Sequence, residues 1–473
     1  MPKSIARILA AALCVAMAFF SWNPSAYALT IKEERELGEK FIEKVREHYE
    51  MLDDPVIVEY VRRVGEKIVA TMPPQPFTYR FYVIRDDTYN AFAGPGGHIA
   101  IHSGLIEAME SEDELAGILA HEAAHVSCRH ISDKLSRDTK LQLASLAGVV
   151  ASILLGGGGV GSALGMSSLA AGQTASLAYS RADETQADQI GLEYLHQAGY
   201  SASGLLRILS RIRQKQWYGP DQIPTYLTTH PAVAHRIAYL DSQIQGRGEQ
   251  PASSFAFDKI RARIGALYGN RQTALARFEQ ALEKDPDDAA ALYGKGLVLA
   301  SAGSRKHAAK VLEQAVENRA FDPDLLRELG RVYHDLGRLD EARQTLEAAV
   351  QAAADMAESH FMLGRCLLDL GETGPAVRHL ERGHELDPDN ISGMYHLGNA
   401  LGKTGRLGWA HYYLGLYHRA RGDLKNAGFH LQKARSHAAD KPDLRKRVED
   451  EQKALPGHWG YDGRWQSGRQ DAR

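Results

Sequence analysis

At 473 residues, 44% of them hydrophobic, the chain is long enough for two or more domains with sizeable cores. A formal net charge of −3, with no dense Lys/Arg patch interleaved with aromatics, excludes nucleic acid as a partner held by bulk electrostatics. Three cysteines, Cys14, Cys128 and Cys366, are too few and too far apart for a disulfide framework.

Residues 1–28 read as a secretory leader. Lys3 and Arg7 supply the positive start, 8–20 the apolar core, and Ala26-Tyr27-Ala28 an A-x-A cleavage site that leaves Leu29 as the mature N-terminus. The apolar run is short for a membrane span, so an uncleaved anchor is the lesser alternative. Cys14 follows Leu13 and does not read as a lipid acceptor.

Residues 31–50 and 55–70 have the pattern of amphipathic helices. Met72-Pro73-Pro74-Gln75-Pro76 is a rigid break, and 79–84 alternates aromatic and β-branched residues like a strand. Ser111-Glu112-Asp113-Glu114 then predicts a capping box, with Ser111 as N-cap and Glu114 at the third helical position. Leu115, Ile118, Leu119, Ala123, Val126 and Ile131 continue at near-helical spacing. Inside that helix lies His121-Glu122-Ala123-Ala124-His125. Residues four apart share a helix face, so two imidazoles can aim at one metal ion, with the Glu122 carboxylate beside them as a base for water. The alternative is a surface helix carrying two histidines, or buried histidines bonded to backbone. Cys128 reads as a small core residue rather than a soft ligand, and His130 as a structural residue off the ligand face.

Residues 141–155 are strongly apolar and are followed by Gly156-Gly157-Gly158-Gly159 and a Gly-rich stretch to about 172. A buried helical hairpin with a Gly-rich tip is the favoured reading; the alternative is a flap over a cleft, with 141–170 in peripheral membrane contact. The glycine run lacks the Gly-Lys-Ser/Thr ending of a phosphate loop.

A second helix is predicted over 181–196, capped by Ser180. Glu184 and Asp188 share its face, one suited to bind a metal and the other to orient a ligand histidine; a solvated acidic face is the alternative. A loop with Gly219, Pro220 and Pro224 leads to Thr229-His230-Pro231, and Pro231 is expected to start a helix over 232–240. His230 as a structural cap at that helix start is the bland reading.

From about residue 255 the pattern becomes a repeat. Ala274, Ala308, Ala342, Ala376 and Ala410 recur every 34 residues, with Phe278, Leu312, Leu346, Leu380 and Leu414 four later and Gly296, Gly330, Gly364 and Gly398 on the same period. This is the tetratricopeptide pattern, small residues where paired helices touch and larger apolar ones sealing the stack. Gly415, Ala427 and Leu431 add a further pair offset by half a repeat. Such an array offers a concave groove for extended segments of clients or partner proteins. The last residues, rich in Gly, Trp and polar types, read as a loosely ordered tail.

Taken together, His121-Glu122-x-x-His125, Glu184-x-x-x-Asp188, the lead-in Asn90-Ala91-Phe92-Ala93-Gly94-Pro95-Gly96-Gly97-His98-Ile99 and Thr229-His230-Pro231 resemble the M48 peptidases over roughly residues 30–245. The resemblance implies an α+β zincin-like metallopeptidase domain holding one Zn2+. His121, His125 and Glu184 would be its ligands, Glu122 the base, and Asp188 a supporting residue. Asn90, Ala91, Phe92 and Ala93 would form an edge strand to which a peptide adds, with the 94–97 turn reversing the chain into 99–102. His230 would lie near the metal, either stabilising the tetrahedral intermediate or closing the site as a fourth, regulatory ligand. Arg236 is a weaker candidate for a charge lining the cleft.

The expected domains are thus a leader (1–28), the peptidase-like domain (29–250), an all-α repeat solenoid (251–440) and a polar tail (441–473). That order is similar to bacterial periplasmic quality-control peptidases of the family. It implies a periplasmic endopeptidase with unfolded or misassembled outer-membrane proteins as clients and contact with their assembly machinery through the repeats. The competing reading is a chaperone or assembly scaffold with a latent protease. An integral-membrane peptidase is disfavoured by the lack of long apolar spans.

Overall fold

The computed structural model describes residues 29–137, 179–215, 224–244 and 254–455 and two short strands at 457–459 and 465–467. The leader, the insert at 141–172 and the Gly219-Pro220 turn lie outside the described residues. The chain divides into two compact units, up to Ile264 and from Gly265 onward. Among the described residues no helix is long and apolar enough to cross a membrane.

In the first unit, α1 (Ile31–His48) opens with a full capping box between Thr30 and Glu33, and α2 (Pro55–Val69) with Asp54 accepting from two backbone N–H groups. A three-stranded sheet follows, with β1 (Arg80–Ile84), β2 (Ala91–Ala93) and β3 (His98–His102) in the order β1-β3-β2. β1 runs parallel to β3, while β2 pairs antiparallel in the register Phe92↔Ala100. The expected reversal is therefore present, through a 3₁₀ turn at Pro95–Gly97 whose Gly96 and Gly97 take φ of 72° and 94°. A Cβ on Gly97 would meet the Thr78 carbonyl at 2.6 Å, so both backbone angle and space demand glycine.

After the short α3 (Ser103–Ala108) comes α4 (Glu112–Ser127), in which every residue from 113 to 126 is buried. A helix covered on all sides is a core element. α6 (Arg181–Gln197) and α7 (Ser203–Lys215) pack on it, and glycine sets how closely. Gly191 lies against the His121 backbone, and a Cβ on Gly117 would stand 2.7 Å from the Leu205 nitrogen. The unit is completed by α5 (His130–Arg137), α8 (Thr225–Thr229), α9 (Val233–Ile244) and α10 (Phe255–Leu267), the last crossing the division between units.

Three local expectations are corrected. Ser111 is the N-cap of α4, but its side chain accepts no capping bond. The Glu114 N–H donates to the Ser111 carbonyl (3.1 Å) instead, and the Glu114 carboxylate turns back to the Glu110 N–H (3.1 Å). Pro231 does not start a helix. α9 begins at Val233, because Ala232 takes φ 64° and its carbonyl receives the first helical bond, from Arg236. Cys128 is the half-buried C-cap of α4 rather than a core residue, since the helix ends there.

The second unit continues with α11 (Arg271–Lys284), α12 (Ala289–Ser301), α13 (Arg305–Asn318), α14 (Pro323–Asp335), α15 (Leu339–Ala352), α16 (Ala357–Asp369), α17 (Thr373–Leu386), α18 (Ile391–Lys403), α19 (Leu407–Ala420) and α20 (Leu424–Ser436). The 34-residue period has one physical cause. A Cβ on Gly296, Gly330 or Gly364 would sit 2.6 Å from the Cγ of Leu312, Leu346 or Leu380 in the next helix, and Gly398 stands likewise against Leu414. Gly415 against Leu431 repeats the contact half a period out of step, as the sequence implies. The stretch from 441 is not a loose tail at its start. α21 (Pro442–Ala454) is helical and buries Leu444 and Val448 against Leu431 and Ala434, apolar spacing that the surrounding charges obscure. Two strands, β4 (Gly457–Trp459) and β5 (Trp465–Ser467), pair antiparallel beyond it.

Gly117→Ala is expected to destabilise the protein by about 1–3 kcal/mol through overpacking against backbone. Gly374→Ala, where nothing lies within 4 Å, should leave stability level or raise it by about 0.5–1 kcal/mol. Urea unfolding midpoints of the two variants distinguish the effects.

Candidate metal centre

α4 presents His121 and His125 one turn apart, α6 presents Glu184 across from them, and the C-cap of α8 supplies His230. One ligand atom from each of the four lies within 4.8 Å of every other, and all four side chains are buried. His121 Nε2 is 3.0 Å from His125 Nε2 and 3.4 Å from His230 Nδ1, while Glu184 Oε1 is 3.1 Å from His230 Nδ1 and 3.4 Å from His125 Nε2. Three imidazoles and one carboxylate aimed at one point are a donor set that suits a tetrahedral divalent cation such as zinc. The ionisation states of His125 and Glu184 agree with that use. Burial holds His125 well below its ordinary value, so it is neutral. Burial opposes the charge on Glu184, but the neighbouring His230 and Arg236 outweigh it and keep the carboxylate ionised.

A second layer holds the first. Asp188 Oδ1 lies 3.0 Å from His121 Nδ1 and accepts its proton in a hydrogen bond. Burial and Arg236 both work against protonation of His121, yet the bonds to Asp188 and Glu184 prevail and raise it to about 9. Arg236 is not the cleft-lining charge expected from the sequence. It is only 2% exposed. Its Nε and one terminal nitrogen grip both oxygens of Asp188 (2.8 and 2.7 Å), and the other terminal nitrogen bonds Glu184. The turn at Ala232 brings it there.

His130 is no ligand, in keeping with its place off the ligand face; its Nδ1 is 2.9 Å from His125 Nδ1, and its Nε2 is 3.1 Å from Gln186 Oε1. The preceding Arg129 takes φ 55°, a strained conformation for a side-chain-bearing residue, and is tied down by buried Glu34 (2.7 Å). Tyr179 stacks on the His125 ring (3.7 Å between centroids) and Tyr226 on the His230 ring (4.2 Å). These two aromatics and Gln186 were not singled out in the sequence. Tyr226 stands four before His230, but a lone aromatic in a five-residue helix carries no periodic signal.

Both oxygens of Glu122 are buried without a hydrogen-bond partner among the described residues, and burial raises its proton affinity. His230 Nε2 lies 3.5 Å from it. β2 packs beside α4 at the edge of the described sheet. The Asn90 carbonyl and Gly94 N–H bond into β3 (3.0 and 2.7 Å), so by antiparallel alternation the backbone groups of Ala91 and Ala93 point away from β3, although both residues are buried. The Asn90 amide is fully buried with neither atom hydrogen-bonded among the described residues.

Comparison with known proteins agrees with this geometry. Residues 57–244 match Peptidase family M48, and 269–323 and 323–389 match tetratricopeptide repeats. A Vibrio cholerae relative is 32% identical over 280 residues, 57% of this chain and 57% of its own length. The beta-barrel assembly-enhancing protease of Escherichia coli K12 is 27% identical over 277 residues, 57% of this chain and 56% of its own. The mitochondrial metalloendopeptidase OMA1 of Schizosaccharomyces pombe is 31% identical over 182 residues, 38% of this chain and 51% of its own. The chain thus spans a little over half the length of the curated relatives it matches.

Arg236→Met leaves two buried carboxylates without their cation and is expected to destabilise the protein by about 3–5 kcal/mol. Arg236→Lys should recover little of this, because an ammonium cannot grip Asp188 with two prongs while bonding Glu184. Chemical denaturation of the full chain measures both.

Proposed function

Since the chain carries a Peptidase family M48 domain followed by tetratricopeptide repeats, we propose that it is a zinc-dependent endopeptidase of the bacterial periplasm. Its substrates would be misassembled outer-membrane proteins, held or presented by the repeat array. The observation that carries the reading is the convergence of His121, His125, Glu184 and His230 beside a Glu122 carboxylate whose oxygens have no hydrogen-bond partner among the described residues. The leader-like residues 1–28 and the name of the Escherichia coli relative support the compartment and the client class.

In this reading His121, His125 and Glu184 hold the metal, which when bound supplies Lewis-acid polarisation of the scissile carbonyl. Glu122 takes a proton from the attacking water and returns it to the leaving amine; its buried setting strengthens it as a base. Asp188 and Arg236 keep His121 and Glu184 in place. An extended peptide adds along β2 once that buried edge is uncovered, bonding to the backbone groups of Ala91 and Ala93 that point away from β3, which aligns it with the motif helix. His230 stands as close to the cluster as the other three donors. That favours a resting state in which it completes the ligand set and keeps the protease latent, so that the scaffold role dominates until the imidazole moves aside.

Glu122→Gln is expected to retain metal while cleavage of an unfolded casein-type substrate falls about 100- to 10,000-fold; undiminished proteolysis in the metal-loaded variant would sink the mechanism. His230→Ala should raise basal cleavage of the same substrate. A drop would instead make His230 a stabiliser of the transition state, and no change would remove the latent state.

A further inference from the structure

His121 has a carboxylate behind it that explains which of its nitrogens is free. His125 has none. We propose that His130 and Gln186 form a hydrogen-bond relay that fixes His125 as its Nδ1–H tautomer and so keeps Nε2 open for the metal. This rests on the metallopeptidase reading.

The polarity of the relay follows from its outer end. The Gln186 carbonyl oxygen can only accept, so His130 Nε2, at 3.1 Å, carries the hydrogen between them. A neutral His130 then has its lone pair on Nδ1. That atom stands 2.9 Å from His125 Nδ1, a separation that requires one hydrogen between the two nitrogens, and it belongs to His125. His125 Nε2 is left bare. It faces His121 Nε2 at 3.0 Å and Glu184 Oε1 at 3.4 Å, where the cation would sit. With the Gln186 amide turned over, every hydrogen in the row reverses and His125 points an N–H at the cation. Metal binding selects the first arrangement.

The fold invests in this contact. Arg129 adopts φ 55° directly before His130, which folds α5 back so that a residue five after His125 returns to it. The Arg129 side chain, paired with Glu34 and with the Leu29 carbonyl, holds that turn. His130 is buried, and Gln186 lies two residues from Glu184 on α6. One helix therefore supplies a ligand at 184, the relay's end at 186 and the partner of His121 at 188. The two motif histidines are supported unequally. Asp188 lends His121 negative charge, whereas the relay lends His125 orientation alone.

The experiment is Zn2+ binding by competition with a chromophoric chelator, alongside melting of the metal-free full chain. The variants are Gln186→Leu, Gln186→Glu and His130→Phe, with His121→Ala as control. Gln186 is exposed, so its variants leave the fold intact even where His130→Phe does not. Gln186→Leu and His130→Phe are expected to bind Zn2+ about 10- to 100-fold more weakly. Gln186→Glu should match the wild type or exceed it, because a carboxylate still accepts. Wild-type affinity in Gln186→Leu overturns the relay, and so does a Gln186→Glu as weak as Gln186→Leu. A wild type that binds Zn2+ no better than His121→Ala is a different failure and removes the metal reading itself.

Discussion

The buried guanidinium of Arg236 is the charge on which the metal-centre region depends. Glu184 and Asp188 lie one helical turn apart with no exposure to water, and like charges so placed repel. Removing ionised groups from water costs several kcal/mol each unless hydrogen bonds and an opposite charge offset it. Arg236 bonds both carboxylates and divides their labour. Asp188 gives one oxygen to His121 as well, and Glu184 turns its second oxygen to the cluster. Without the cation one carboxyl would take up a proton, and either a ligand or the support of a ligand would be lost.

The first unit nevertheless packs tightly around this polar centre, and the ion pairs and hydrogen bonds within it offset the cost of excluding water. α4 is covered on all sides, and glycines at 117 and 191 allow neighbouring helices within van der Waals contact of its backbone. Among the described residues the two non-glycine positions with positive φ are Arg129 and Ala232. The first precedes His130, and the second lies between His230 and Arg236. Strain is thus concentrated where the chain must turn sharply to deliver a side chain to the centre, and the surrounding ion pairs hold it there.

The second unit follows different rules. From Gly296–Leu312 to Gly415–Leu431 successive helices bury a leucine on a glycine, so stability there is a sum of like contacts between neighbours. Its buried guanidinium, Arg327, pairs with Asp324 and Glu328 on its own helix. In the proposed function the unit would contribute surface, and the chemistry would reside in the metal-centre region of the first unit.

The sequence by itself determined whatever is written in a local period. The two histidines and the glutamate of α4, the Glu184–Asp188 pair, the glycine reversal at 94–97 and the 34-residue repeat all follow from spacing along one element. The tertiary structure alone decided the rest. Arg236 reads as a weaker candidate for a cleft-lining charge until it is seen buried against Asp188, 48 residues away. His130 reads as off the ligand face, and only the turn at Arg129 brings it against His125. Gln186, Tyr179 and Tyr226 carry no pattern at all, and the apolar spacing of α21 is hidden among charges. Helical periodicity is set by each segment's own backbone, whereas these contacts depend on where separate segments are brought together.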